Sequence, residues 1–326
     1  SAAIADLVVR NGRIYTVDRE RPWADAMAVL GGRIVAIGAA DEVAPHIGPQ
    51  SRILDLGGRM AMPGIVDVHA HTLLGGLEAV FEIQFANTAR LDAILEKVQA
   101  AALAAPEGAW LVGSQWGSDL FSVLNTAEAL ARLDAASLGR PVLLWDDTHH
   151  NRWVNSAALK LAGVTADTAD PEQGSFGRDP QSGALTGLVV EAAVAQVERA
   201  LLDSGYYHDE KDRTAMAHAI ATLNAYGVTA VLDAAAMAPV LTSLKGLDDR
   251  GLLTAWVGGA MPVMEPAFMF GASGEELFAQ RESFRSAHVR PDFAKVFLDG
   301  VPGARTAAFH EPYTPDPVQG CCFRGS

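Results

Sequence analysis

The chain is poor in cysteine: it has two in 326 residues, and those two are neighbours, Cys321 and Cys322. Adjacent cysteines rarely bridge, because the linkage strains the backbone. Both are read as reduced thiols, and a disulfide-stapled secreted scaffold is excluded. No block of lysine and arginine occurs either, with 39 acids against 25 bases and a net charge of -14. A nucleic-acid or anionic-membrane partner would call for such a block, so neither is expected, and the acidity reads as a solubility feature. No apolar run approaches the roughly 20 residues that span a bilayer. The opening residues Ser1 to Asp6 carry neither the basic nor the apolar segment of a secretory leader, which makes a cytoplasmic location the expectation.

What is present is an ordinary globular balance, 49% hydrophobic and 20% charged. The length suits one large domain with a small one, or two of middle size. Residues 1–62 read as β structure. Short alternating segments flank Asn11-Gly12, Gly31-Gly32 and Gly57-Gly58, which predicts three consecutive hairpins in a small sandwich or barrel. From Pro63-Gly64 to residue 326, apolar strands alternate with helical stretches, the pattern of an α/β domain with a parallel sheet. Asn125 with Glu128 predicts a capping box, Asn155 caps a helix ended by Gly163, and Gly227 stops a long helix begun at Asp209. About half a dozen barrel-type strands are laid down by residue 326, fewer than the eight of a closed (β/α)8 barrel, so the protein is expected to continue beyond it.

The chemistry concentrates in Pro63-Gly64-Ile65-Val66-Asp67-Val68-His69-Ala70-His71. Side chains at i and i+2 of a strand share a face, so His69 and His71 point the same way and can hold one ion. Asp67 lies on that face one step deeper, placed to orient a ligand from behind. Gly75-Gly76 closes the run, which puts the histidines at the carboxyl end of the strand. Nine histidines in 326 positions produce such a pair by chance in about one sequence in four. Its place, directly after a β-only region, is what singles it out.

Further along, His149 and His150 follow Asp146-Asp147, either as a second metal cluster or as a substrate loop. Trp116 falls just after a strand and either lines a pocket or packs against a βα loop. Lys295 ends a strand near Asp292 and Asp299; spacing alone favours an ion pair there.

Taken together the chain resembles the amidohydrolase superfamily, and within it the long-chain branch that includes N-substituted formamide deformylases. The resemblance rests on Asp6 to Ile14, Pro63 to His71, His150 to Leu159, and Lys295 to Gly300 followed by Gly303 to Ala308. It implies a distorted (β/α)8 barrel with a small β-sandwich built from both chain ends. It also implies zinc or another divalent metal, one or two ions, and hydrolysis of C–N bonds in a small-molecule amide by an activated water. By the same resemblance Lys295 is a metal ligand, carbamylated in many relatives, and Asp299 stands behind it. His150 contacts substrate. Two later histidines and a general-base aspartate are expected beyond residue 326. Self-association is left open. The rival readings are a metal-free scaffold and an esterase, lactonase or isomerase on the same fold.

Overall fold

The computed structural model describes residues 2–172, 174–264, 271–299, 307–315 and 321–325. It divides into two compact units, Ser1–Ile65 and Val66–Ser326.

The first unit holds seven strands: β1 (Leu7–Arg10), β2 (Arg13–Tyr15), β3 (Trp23–Ala24), β4 (Ala26–Leu30), β5 (Arg33–Gly38), β6 (Arg52–Asp55) and β7 (Met60–Ala61). They form two sheets, ordered β5-β4-β1-β6 and β3-β2-β7. Of the three expected hairpins only the middle one forms, with β4 and β5 antiparallel around Gly31-Gly32. The segments either side of Asn11-Gly12 do not pair with each other. β1 lies between β4 and a parallel β6, whereas β2 lies between β3 and a parallel β7. The turn at Gly57-Gly58 parts β6 from β7 in the same way. Asn11, Gly57 and Gly58 adopt positive φ of 54°, 57° and 80°. They swing both segments out of one sheet and into the other. The two turns are tied: the Gly58 N–H donates to the Asn11 carbonyl at 2.7 Å, and Asn11 Nδ2 donates to Asp55 Oδ1 at 2.8 Å. Val9 from one sheet and Ile14 and Ala24 from the other share a buried cluster, which holds the sheets together.

The second unit opens with β8 (Ile65–Ala70), followed by β9 (Ile83–Gln84), β10 (Leu111–Trp116), β11 (Val142–Asp146), β12 (Asn151–Val154), β13 (Gly174–Arg178), β14 (Leu185–Glu191), β15 (Val228–Asp233), β16 (Trp256–Pro262) and β17 (Val289–Lys295). The α/β alternation is as read: β9, β10 and β11 are parallel neighbours, and so are β15, β16 and β17. Among the described residues these strands make two open sheets, ordered β13-β14-β12-β11-β10-β9 and β17-β16-β15-β8. The first carries an antiparallel extension, β12-β14-β13, that the alternation did not signal.

Gly75 and Gly76 do not end a strand. They sit inside the helix Thr72–Phe81, and a Cβ on Gly76 would stand 2.1 Å from the Ala215 carbonyl oxygen of the helix Asp209–Ala225. The glycine is what lets these helices close on one another. The cap expected at Asn125 is shifted by one residue. Thr126 accepts from the Ala129 N–H at 3.1 Å, while Asn125 Oδ1 accepts from Thr186. Asn155 caps its helix through the Ala158 N–H at 3.0 Å, as expected. Cys321 and Cys322 are free and exposed. No helix among the described residues is long and apolar enough to cross a membrane.

Candidate metal centre and adjoining cavity

β8 delivers His69 to its carboxyl end and stops at Ala70, so His71 sits one residue further on, where the helix Thr72–Phe81 begins. The two imidazoles still meet, ring centres 5.5 Å apart and nearly perpendicular. The corner is fixed from behind by Asp233 at the end of β15. Its buried carboxylate accepts from the Thr72 N–H at 2.9 Å and the Thr72 hydroxyl at 2.6 Å. Among the described residues Asp67 binds no neighbouring ring; its Oδ1 accepts from the His69 backbone N–H at 3.0 Å, which stiffens the strand end.

Both rings open into a cavity of about 680 Å³, within the range of small-molecule sites. His149, His150, Lys295 and Asp299 line it too. Lys295 ends β17, as expected. Asp292, one of its anticipated partners, is bonded to Arg285 instead, and the lysine Nζ lies 4.8 Å from the Phe297 ring centre. Asp299 accepts from the Ala308 N–H at 2.8 Å. Gly300 and residues 303–306 of the quoted motif lie outside the described residues.

Trp116 requires a correction. It is fully buried, its Nε1 donates to the Leu144 carbonyl at 3.0 Å, and it packs with Leu120, Leu133 and Trp153. It fills the core under β10 and β11 and does not reach the cavity. Trp145, at the end of β11, lines the cavity in its place.

The acidic end of the Asp146–His150 loop is structural. Asp146 is buried and accepts from the Thr148 hydroxyl, the Asn151 N–H and the Asn151 amide, while Asp147 accepts from Ser118. That leaves the two histidines facing the cavity with pKa values shifted in opposite directions. Burial pulls His149 below the usual histidine range, and its Nε2 lies 2.9 Å from the Gln115 amide nitrogen. His150 is raised, because its Nδ1 bonds Glu191 at 3.0 Å. A histidine raised by a carboxylate adds stability that is complete below its unfolded pKa of about 6.5 and fades as pH climbs through the folded value. Glu191→Gln should therefore lower stability by about 1 kcal/mol near pH 5.5 and by less near pH 8.5. Urea denaturation at the two pH values checks this; an equal loss at both would rule the coupling out.

The donor set can be tested for a metal. Neutral imidazole is the form that ligates. Crowding by protein atoms, the leading influence, holds His71 below its ordinary pKa, with the charges of His69 and Lys295 acting in the same direction and Asp233 opposing. Two imidazoles on one corner and an amine on the same cavity wall fit part of a divalent ion's shell. No group of three or more His, Cys, Asp or Glu side chains gathers for a metal among the described residues. Sequence reasoning missed Asp233, which no local motif marks.

The chain is similar to known proteins along most of its length. The amidohydrolase family model matches residues 52–323. The chain is 30% identical to the putative amidohydrolase YtcJ of Bacillus subtilis, covering 94% of this chain and 56% of that protein. It is also 30% identical to the protein LONG AFTER FAR-RED 3 of Arabidopsis thaliana, covering 96% and 54%. It is 32% identical to the N-substituted formamide deformylase of Arthrobacter pascens over 64% and 37%. The chain thus spans about half the length, or less, of these curated relatives. A solved metal-dependent hydrolase of Pyrococcus horikoshii superposes with a TM-score of 0.69 at 20% identity, over 97% of this chain and 59% of that one, which marks a shared α/β fold. With 272 of its residues under the family model, from 52 to 323, this chain belongs to the amidohydrolase family.

Proposed function

We propose that the protein is a metal-dependent hydrolase of C–N bonds in small amides, N-formyl or N-acyl, and that the described strands are part of a (β/α)8 barrel. The observation that carries the reading is the meeting of His69 and His71 at a strand's carboxyl end, in a cavity that also holds Lys295. These three residues would hold the ion, Lys295 directly or as its carbamate. A divalent ion bound there supplies Lewis acidity, polarising an amide carbonyl and lowering the pKa of water from 15.7 towards about 7. Asp233 and Asp67 keep the two histidines in register by holding the backbone on either side of them. His150, whose pKa is raised by its bond to Glu191, faces the same cavity and is suited to donate to a developing oxyanion.

Exhaustive chelation of the purified protein should drop hydrolysis of N-formyl and N-acyl amines to background, with recovery on adding zinc or another divalent ion. Turnover that survives chelation would overturn the reading. A scaffold would carry no stoichiometric metal by elemental analysis, and an esterase or lactonase would prefer lactones in the same substrate panel.

A further inference from the structure

A second, smaller cavity of about 140 Å³ lies beside the histidine cavity, and Leu74 and Trp145 line both. Its other walls are mostly apolar, with Leu77, Leu202, Met237 and Val240 among them. An apolar hole of about 150 Å³ in a protein interior stays dry and accepts benzene, so this volume suits one phenyl ring or a short branched alkyl group.

One wall is of another kind. Asp212, on the helix Asp209–Ala225, is 7% exposed and lines the pocket. Its Oδ1 is buried with no hydrogen-bond partner among the described residues. Lys211, next in sequence, donates instead to the Tyr206 carbonyl at 3.3 Å and lies over the Tyr206 ring. Glu198, the other acid on the wall, is bonded to Arg152 at 2.6 Å. An unpaired buried carboxylate oxygen is costly, so it marks a place where a donor is wanted. Burial also raises the Asp212 carboxyl above its ordinary range, a strain that a bound cation would relieve.

We infer that this pocket is a specificity subsite for a ring-sized apolar substituent that ends in a hydrogen-bond donor, an ammonium above all, which Asp212 accepts. The inference rests on the hydrolase reading only in naming this group as an arm of the amide substrate. The pocket's occupancy is independent of turnover. The class of substrate is then an N-acyl aralkylamine bearing a second amine.

Benzylamine, toluene and benzoate test the pocket by calorimetry or ligand-observed NMR on the intact chain. Benzylamine should bind at least about tenfold more tightly than benzoate. Asp212→Asn should remove that preference while toluene still binds, and Leu202→Phe should fill the space and weaken benzylamine and toluene alike. Should one variant fail to fold, the other still places the probe. Equal binding of benzylamine and benzoate, or benzylamine binding unchanged in a folded variant of either kind, would overturn the subsite. In the kinetic arm, kcat/KM for N-acetyl-4-(aminomethyl)benzylamine should exceed that for N-methylacetamide, and Leu202→Phe should erase the difference. Probe binding as expected with neither amide hydrolysed would sink the hydrolase reading and leave the subsite standing.

Discussion

His71→Ala, and His69→Ala beside it, should each release the divalent ion and cut amide hydrolysis by about a thousandfold or more. The estimate follows from the several kcal/mol that an ion supplies to such a reaction, at about 1.36 kcal/mol for each factor of ten. Two imidazoles form the corner, and removing either leaves one ring with Lys295, too few donors to retain an ion against water. Both rings are exposed to the cavity, so truncating them opens no void in the core, and the melting temperature of the metal-free protein should barely move. Metal content by mass spectrometry and turnover on an N-acyl amine are the two readings. Full metal occupancy in either variant would place the ion elsewhere and dismiss the corner as its site.

The largest stability effect is expected at Glu198. Its carboxylate bonds Arg152 at 2.6 Å with both side chains almost wholly out of water. The guanidinium also donates to the His149 and Asn151 carbonyls and stacks 3.4 Å from the Trp145 ring centre. Taking two charges out of water is costly, and the pair is tolerable because each ion answers the other. Glu198→Ala strands the arginine, whose Nη2 already has no partner among the described residues, so a loss of about 3–5 kcal/mol is expected in chemical denaturation. The double change Arg152→Met with Glu198→Leu should recover most of it. A single variant within 1 kcal/mol of the parent, on the order of an exposed pair, would mean that water reaches the ions. Since Arg152 holds the His149 carbonyl, Glu198→Ala should also weaken substrate binding in whatever fraction stays folded.

What the sequence made legible depended on the range of the interaction. Alternation along β8 was enough to aim His69, whereas His71, one residue past the strand, meets it at a corner that the Thr72–Asp233 bonds hold. The placement of Lys295 in the same cavity is a fact of tertiary packing, and only the family resemblance pointed to it. The Arg152–Glu198 pair and the Thr72–Asp233 bonds are equally non-local, and nothing in either segment announces them. Trp116 shows the limit of strand periodicity: it says that alternate residues part, not which face meets solvent. The glycine pairs show another. Gly31-Gly32 and Gly57-Gly58 look alike in sequence, yet only the first joins two strands that pair with each other. A turn fixes local direction, while the partner is chosen by the apolar residues that must be covered. The one-residue error at Thr126 is of a smaller sort, since adjacent Asn and Thr are both good caps and packing decides between them.

The paired crossing at Asn11 and Gly57 has a bearing on how the protein is made. β1 has β6 as its parallel neighbour and β2 has β7, partners that lie some forty-five residues later in the chain. Contacts of such long span are slow to form, since loop closure comes before any reward. A nascent chain cut short before Arg52 would carry the β4–β5 hairpin but could not complete either sheet. The amino-terminal unit should become protease-resistant on the ribosome only after residue 61 has cleared the exit tunnel, in one late step.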